Sequence, residues 1–254
     1  MKYFFLILIF FILKSNCFSQ NNENIILKVF YKTIITKNNR LPIEDTCLLS
    51  VSDSYSYFRS LGKEAYWEML RTFVSNSKKN ASIDQVNNFK LPPAGKFFPY
   101  SCYKVRAENK SYMIQHLGDV NYAFRVDNEF PFNWKILSDS QTINKLHCIK
   151  AIGSSDTAKL EVWFCPDIPI ADGPSIYLGL PGLIVKSISS SGINCELLSM
   201  QYIEKPKELN LLSEKIEFTT YKDFSKALKA YKEQNQSGKP VVDGNATMIF
   251  NKKE

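Results

Sequence analysis

The sequence predicts an α+β protein, predominantly antiparallel β, built as a curved sheet or partial barrel with two helices packed on it. Three observations predict this. The 254 residues include 18 Phe and 13 Tyr, interleaved with Val, Ile and Thr, residue types that suit pleated, half-buried surfaces. Short apolar runs are separated by turn signals at spacings that suit antiparallel hairpins. Two stretches switch to helical spacing. With 44% hydrophobic and 22% charged residues, the composition supports a packed core and excludes a disordered chain.

The first twenty residues, MKYFFLILIFFILKSNCFSQ, place a basic start at Lys2, an apolar run from Tyr3 to Leu13, and small residues at Cys17 and Ser19. That is the form of a secretory signal, and residues 1–19 are expected to be removed to leave a mature chain starting at Gln20. The run is too short to span a bilayer, and no later stretch reaches about 18 apolar residues, so no transmembrane segment is expected after signal removal. Acylation of Cys17 is the competing reading, which Asn16 and Lys14 disfavour. Residues 20–254 then read as one β-rich domain ending in a helix.

Ile25 to Ile35 reads as a long first strand, with Thr46 to Val51 and Ser54 to Ser60 after it. Gly62 to Asn76 changes period: Tyr66, Met69, Leu70, Phe73 and Val74 recur at helical spacing and predict an amphipathic helix. Strands resume at Phe97 to Arg106, Ser111 to Gln115, Asn121 to Val126, Trp134 to Leu137, Ile143 to Ala151, Lys159 to Cys165, Leu183 to Ile188 and Ile193 to Glu204. Their spacing predicts a meander of antiparallel hairpins. Near the end, Thr220 and Asp223 form a capping box before a helix over Tyr221 to Gln234, with Phe224, Leu228 and Tyr231 on one face.

The formal charge of +7 falls to +5 once Lys2 and Lys14 leave with the signal, and it is spread along the chain rather than gathered in a patch. Nucleic acid is therefore not an expected partner. Five cysteines remain in the mature chain: Cys47, Cys102, Cys148, Cys165 and Cys195. In an oxidising compartment an odd number leaves at least one thiol unpaired. Cys148 and Cys165 are the expected disulfide partners, on strands joined by a hairpin near Ser155.

No catalytic residue, metal site or cofactor is expected. His147 and Cys148 are adjacent in a strand, so their side chains point to opposite faces and cannot form a thiol–base dyad. Ser-x-x-Lys occurs at Ser60/Lys63, Ser75/Lys78 and Ser101/Lys104, about as often as chance predicts. There is no HExxH, no Gly-x-Ser-x-Gly and no phosphate-cradling glycine loop. Asp156-Thr157-Ala158 looks like a short signal for O-glycosylation at Thr157.

The most informative stretch is PDIPIADGPSIYLGLPGLIVKS. Leu180-Pro181-Gly182-Leu183 suits a type II turn, with Pro where φ is near −65° and Gly182 where φ must be positive. Upstream, Pro166, Pro169 and Pro174 keep Cys165 to Gly179 out of regular ladders, and this segment is expected to cross the sheet as a semi-rigid loop.

Gly179 to Ile184, together with Trp134, Ile143, Cys148 to Ala151, Val162-Trp163-Phe164, Ile168-Pro169 and Gly173-Pro174, resembles the core block of the GLPGLI family of exported Bacteroidota proteins. Ser56 to Ser60 resembles that family's earlier Ser-x-Phe-x-Ser strand. Where the family often carries Gly-Arg, this chain has Thr157-Ala158. The resemblance implies no established catalytic activity. It implies residence in the periplasm, at the outer-membrane periphery or outside the cell, and an envelope partner such as a TonB-dependent receptor system.

The expected function is that of an exported, non-enzymatic cell-envelope protein binding a peptide, a lipid-like ligand or an envelope protein. Trp163, Pro174, Tyr177, Gly179, Leu180, Pro181 and Gly182 are the candidate binding residues, against the reading that the hexapeptide turn and Trp163 belong to the core. Two alternatives stand beside this function. An envelope hydrolase with an unrecognised site would show a convergent acid pair or a Cys–His contact. A structural assembly component would show an exposed edge strand.

Overall fold

The computed structural model describes residues 24–36, 41–80, 97–117, 120–125, 132–154, 159–208 and 216–235. The expected signal segment, the Gln20 start and Thr157 lie outside them. Among the described residues twelve strands form one open sheet: β1 (Asn24–Ile35), β2 (Ile43–Val51), β3 (Tyr55–Ser60), β4 (Ser101–Val105), β5 (Lys110–Leu117), β6 (Val120–Arg125), β7 (Lys135–Ile143), β8 (Leu146–Ser154), β9 (Lys159–Cys165), β10 (Leu183–Ser189), β11 (Ile193–Glu208) and β12 (Ile216–Thr219). Their order is β12-β6-β5-β4-β3-β2-β1-β11-β10-β9-β8-β7, and two described helices accompany them: α1 (Leu61–Asn80) and α2 (Tyr221–Asn235).

The alternation that predicted β1 is borne out. Ile25, Leu27, Val29, Tyr31, Thr33 and Ile35 are buried, while Ile26, Lys28, Phe30, Lys32 and Ile34 between them are half-buried. The inward set joins Cys47, Leu49, Phe58, Cys102, Val162, Phe164, Ile184 and Leu197 in one core on the inner face of the sheet. The outward side chains tie neighbouring strands by ion pairs, Lys32–Glu44 at 3.0 Å, Lys186–Glu196 at 3.0 Å and Lys150–Glu161 at 2.8 Å.

The sheet curls strongly. Asn109 precedes β5 and Trp134 precedes β7, strands nine steps apart in the sheet order. Laid flat, nine inter-strand spacings would span about 43 Å. Yet a β-carbon added to Gly179 would lie 3.5 Å from Asn109 Oδ1 and 3.6 Å from Trp134 Nε1. The two ends of this arc therefore approach within about 7 Å, although β7 pairs with β8 alone among the described strands and the ladder stays open.

Three elements differ from the sequence expectation. Residues 143–151 were expected to be one strand, but β7 and β8 meet at a tight hairpin whose turn residues Asn144 and Lys145 have φ of 49° and 68°. This conformation suits Asn but is strained for Lys, so the turn carries no glycine signal. β12, absent from the sequence reading, runs parallel to β6 and breaks the all-antiparallel meander. Four residues of weak alternation give little to recognise.

The helices follow their start signals. Ser60 Oγ accepts from the Lys63 amide at 2.8 Å, so the Ser60/Lys63 motif is an N-cap of α1. Thr220 and Asp223 make the expected capping pair: the Asp223 amide donates to Thr220 Oγ1 at 3.1 Å and the Thr220 hydroxyl donates to Asp223 Oδ2 at 2.8 Å. Phe224 is buried against Phe124 and Tyr122 of β6, with Leu228 and Tyr231 half-buried on the same side.

Candidate binding surfaces

Between Cys165 and Leu183 the chain leaves the sheet, crosses its inner face and returns. Prolines forbid regular ladder bonds here, so the segment turns by tight i→i+2 bonds instead: Ile170 N to Ile168 O at 2.7 Å, Asp172 N to Ile170 O at 2.7 Å and Gly182 N to Leu180 O at 2.8 Å. The last encloses Pro181 in a γ-turn rather than the type II turn expected. Positive φ is found at Gly179, 93°, and not at Gly182. Glycine is needed at 182 for another reason: a β-carbon there would lie 2.3 Å from the carbonyl oxygen of Cys165.

A buried irregular segment must find partners for its carbonyls. Side chains from across the curled sheet supply them. Ser111 of β5 donates to Ile176 O at 3.0 Å, Trp134 Nε1 to Leu178 O at 2.7 Å and Tyr31 of β1 to Ile184 O at 2.8 Å. Lys104 of β4 donates to Gly173 O and pairs with Asp172, both charged side chains being fully buried. Arg106 Nε lies 3.9 Å from Asp172 Oδ2, and neither atom has a hydrogen-bond partner among the described residues. Burial, then the Asp172 charge, push the Tyr31 hydroxyl well above its ordinary range, so it is a fixed donor.

The candidate residues consequently divide. Pro174, Tyr177, Leu180 and Gly182 are buried, and Tyr177 packs edge-on to Phe132 at 5.6 Å between centroids. Tyr177 and Leu180 belong to the core cluster. Gly179 and Pro181 are exposed at the loop tip, beside Asn109 and Trp134.

Trp163 stands apart. Val162 and Phe164 face the core, but Trp163 between them is half-buried on the outer face, with Lys150 Nζ 5.5 Å from its ring centre. Trp163 is also among the half-buried side chains packed against the core cluster. In the register Trp163 lies between Lys150 of β8 and Lys186 of β10. Two residues along, Glu161 lies between Ile152 and Ile188, each 41% exposed, and Leu198 of β11 is 52% exposed. Sequence reasoning missed these three. Their outward positions in alternating strands were the available signal.

Cys47, Cys102, Cys148, Cys165 and Cys195 are free thiols, so the expected Cys148–Cys165 bond is not formed in the structure. The β8–β9 register ends at Ile149–Phe164, one step short of the two cysteines. Burial raises Cys102 to about 12, and Cys148 and Cys195 to about 11, so these thiols are poor nucleophiles. His147 is exposed and Cys148 buried, as strand alternation required. Among the described residues no group of three or more metal-ligating side chains converges. No helix there is long and apolar enough to cross a membrane.

A family model described as a protein of unknown function, Porph_ging, matches residues 153–186, a stretch that includes β9, the crossing loop and Gly179–Ile184. No curated protein matches the sequence. Two crystal structures of PNGF-II, in different space groups, share the fold over 82% of this chain at TM-scores of 0.52 and 0.51, with 14% and 15% identity. This chain corresponds to 34% and 33% of theirs, about a third of the PNGF-II length. A LolA superfamily protein from Nitrosomonas europaea aligns over 72% of this chain and 88% of its own at 8% identity, with a TM-score of 0.30.

Proposed function

We propose that the chain is an exported, non-enzymatic cell-envelope protein that binds a peptide, a lipid-like molecule or an envelope protein through the outer face of β8 to β11. One observation carries this reading: half-buried Trp163 and the exposed Ile152, Ile188 and Leu198 share the face opposite the core. Single exposed apolar side chains are ordinary, but a set of four on neighbouring strands marks a surface that gains by being covered. The ion pairs Lys150–Glu161 and Lys186–Glu196 interleave with them on the same face. Export, and a partner of the TonB-dependent receptor type, rest on the signal-like start and on the GLPGLI resemblance.

A structural assembly role draws on one feature, the terminal strand β7, whose side chains are mostly exposed. Its register slips between Ile136 and Ser140, with Asp139 inside the irregular stretch. Bulges and charges of this kind blunt an edge against pairing with another copy, so binding is the better-supported role.

Affinity capture from envelope extract tests the proposal. Wild type is expected to retain a specific protein or small molecule that Trp163→Ala loses while folding normally. Equal capture by both would reject the outer face as the site.

A further inference from the structure

We propose that the edge of β11 from Leu198 to Tyr202 is a docking site for an extended peptide, which adds there as a short guest strand. The two neighbours of β11 cover it unequally. β1 pairs with it from Ile193 to Glu208, whereas β10 pairs only with Asn194, Cys195 and Glu196. Beyond Glu196, no described strand pairs with β11 on the side away from β1.

The crossing loop is the cause. β10 begins at Leu183, where the loop returns, and its first amides are taken by that loop: Leu183 N donates to Ile168 O at 3.0 Å and Ile184 N to Asp172 O at 2.8 Å. The start of β10 is thereby held to the loop, and its ladder with β11 stops at Lys186–Glu196. At the opening, Asn144 Nδ2 from the β7–β8 turn donates to Leu197 O at 2.6 Å, a side chain standing in for a strand amide. Past that point, Leu198 to Tyr202 make no hydrogen bond outside the β1 ladder among the described residues. Their outward backbone groups form a row of about 17 Å, the reach of an ordinary strand.

The side chains suit the same occupant. Met200 and Tyr202 lie directly opposite Val29 and Leu27, so all four share the inner face. Val29 and Leu27 are fully buried, yet Tyr202 is 61% exposed and Met200 half-buried, because only β1 flanks them. Leu198, the extra residue of a bulge opposite Phe30 and Tyr31, is 52% exposed. The stretch carries neither charge nor proline, whereas Asp139 and a slipped register blunt the β7 edge. A guest with apolar side chains on alternate residues covers Met200 and Tyr202 while its backbone completes the ladder. A second copy of this chain fits poorly. Antiparallel self-pairing centred on Met200 would set Glu196 of each copy against Glu204 of the other, and the chain beyond Tyr202 would run into β10, which already flanks Glu196. The opening admits a short segment instead.

The test uses the full chain and a synthetic peptide, acetyl-Lys-Thr-Val-Thr-Val-Thr-Val-amide, with a counterpart N-methylated at every residue, followed by amide exchange resolved by NMR. In the free chain, amides between Leu198 and Tyr202 that point away from β1 are expected to exchange fast. The peptide should bind saturably and slow them, and its N-methylated counterpart should do neither. Tyr202→Ala, a change at an exposed side chain, should weaken binding about fivefold, the worth of one good cross-strand pair. Trp163→Ala should leave peptide binding unchanged, which separates failure here from failure of the outer-face reading. The proposal is overturned by slow exchange along the whole stretch in the free chain, by absence of saturable binding, by equal binding of the N-methylated peptide, or by protection that appears at β7 or β12 instead. A dimer of the free chain that Tyr202→Ala dissociates would also overturn it and give the edge to a second copy.

Discussion

Gly182→Ala is the sharpest probe of how the hexapeptide is built. Its added carbon would lie 2.3 Å from Cys165 O, 2.8 Å from Cys165 C and 3.0 Å from Pro166 Cα, all backbone atoms that no side-chain rotation can clear. Relief requires the Cys165–Pro166 peptide to move by about 1 Å, which disturbs the Ile168–Cys165 bond and the Leu183 pairing together. Overpacking of this kind costs about 1–3 kcal/mol, and a backbone neighbour places it at the upper end. For a protein of this size about 3 kcal/mol lowers the melting temperature by about 6–12 °C. Gly179→Asn provides the contrast. Position 179 has φ of 93° but its nearest neighbours stand at 3.5 Å and beyond, and Asn tolerates positive φ. Its expected cost is about 1 kcal/mol, or about 2–4 °C. Thermal unfolding of the two variants decides the matter: a wild-type melting temperature for Gly182→Ala, or a larger loss for Gly179→Asn, refutes the steric account.

Four further outcomes follow from the packing. Lys104→Met leaves the buried Asp172 with Arg106, at 3.9 Å, as its nearest cation and is expected to cost about 3 kcal/mol by denaturant unfolding, with Lys104→Met/Asp172→Leu recovering part of it. Trp163→Ala should cost less than the roughly 3–5 kcal/mol of a core tryptophan, because its ring is half-buried on the outer face. Alkaline stability should fall from about pH 9, where unfolded cysteines ionise, toward 11–12, where buried Cys148, Cys195 and Cys102 ionise; their raised values keep the stabilisation whole below pH 9, and a flat pH 8–11 profile under reducing conditions would contradict it. The Thr220 bond, then Lys226, hold the Asp223 carboxyl below its ordinary value. Its contribution to α2 is therefore present above pH 4 and lost as pH falls through the lowered value, which backbone amide exchange at the start of α2 should detect.

Most of the strand pattern was legible because one face of the sheet is buried and alternation is enforced, as β1 shows residue by residue. The β7–β8 hairpin escaped because Asn144-Lys145 makes its turn without glycine, and β12 because four residues carry too little pattern. The loop's crossing was legible from its prolines. Its burial was not: Tyr177 and Leu180 resemble groove-lining residues until Tyr31 of β1, Lys104 of β4, Ser111 of β5 and Trp134 before β7 are seen to satisfy the backbone around them. Similarly, the need for glycine at 182 was visible while its cause, the Cys165 carbonyl, depends on tertiary contact. The outward position of Trp163 was not legible because an alternating strand does not reveal which of its faces is the core.

The central claim is that the outer face of β8 to β11 binds while the crossing loop holds the fold. It is tested most directly by envelope capture with Ile152→Asp/Ile188→Asp beside the loop-tip variant Pro181→Ser, both first shown to melt near wild type. The account predicts that the outer-face variant loses the captured species and the tip variant keeps it. Retention by the outer-face variant with loss by the tip variant would contradict the account and move the site to Gly179 and Pro181.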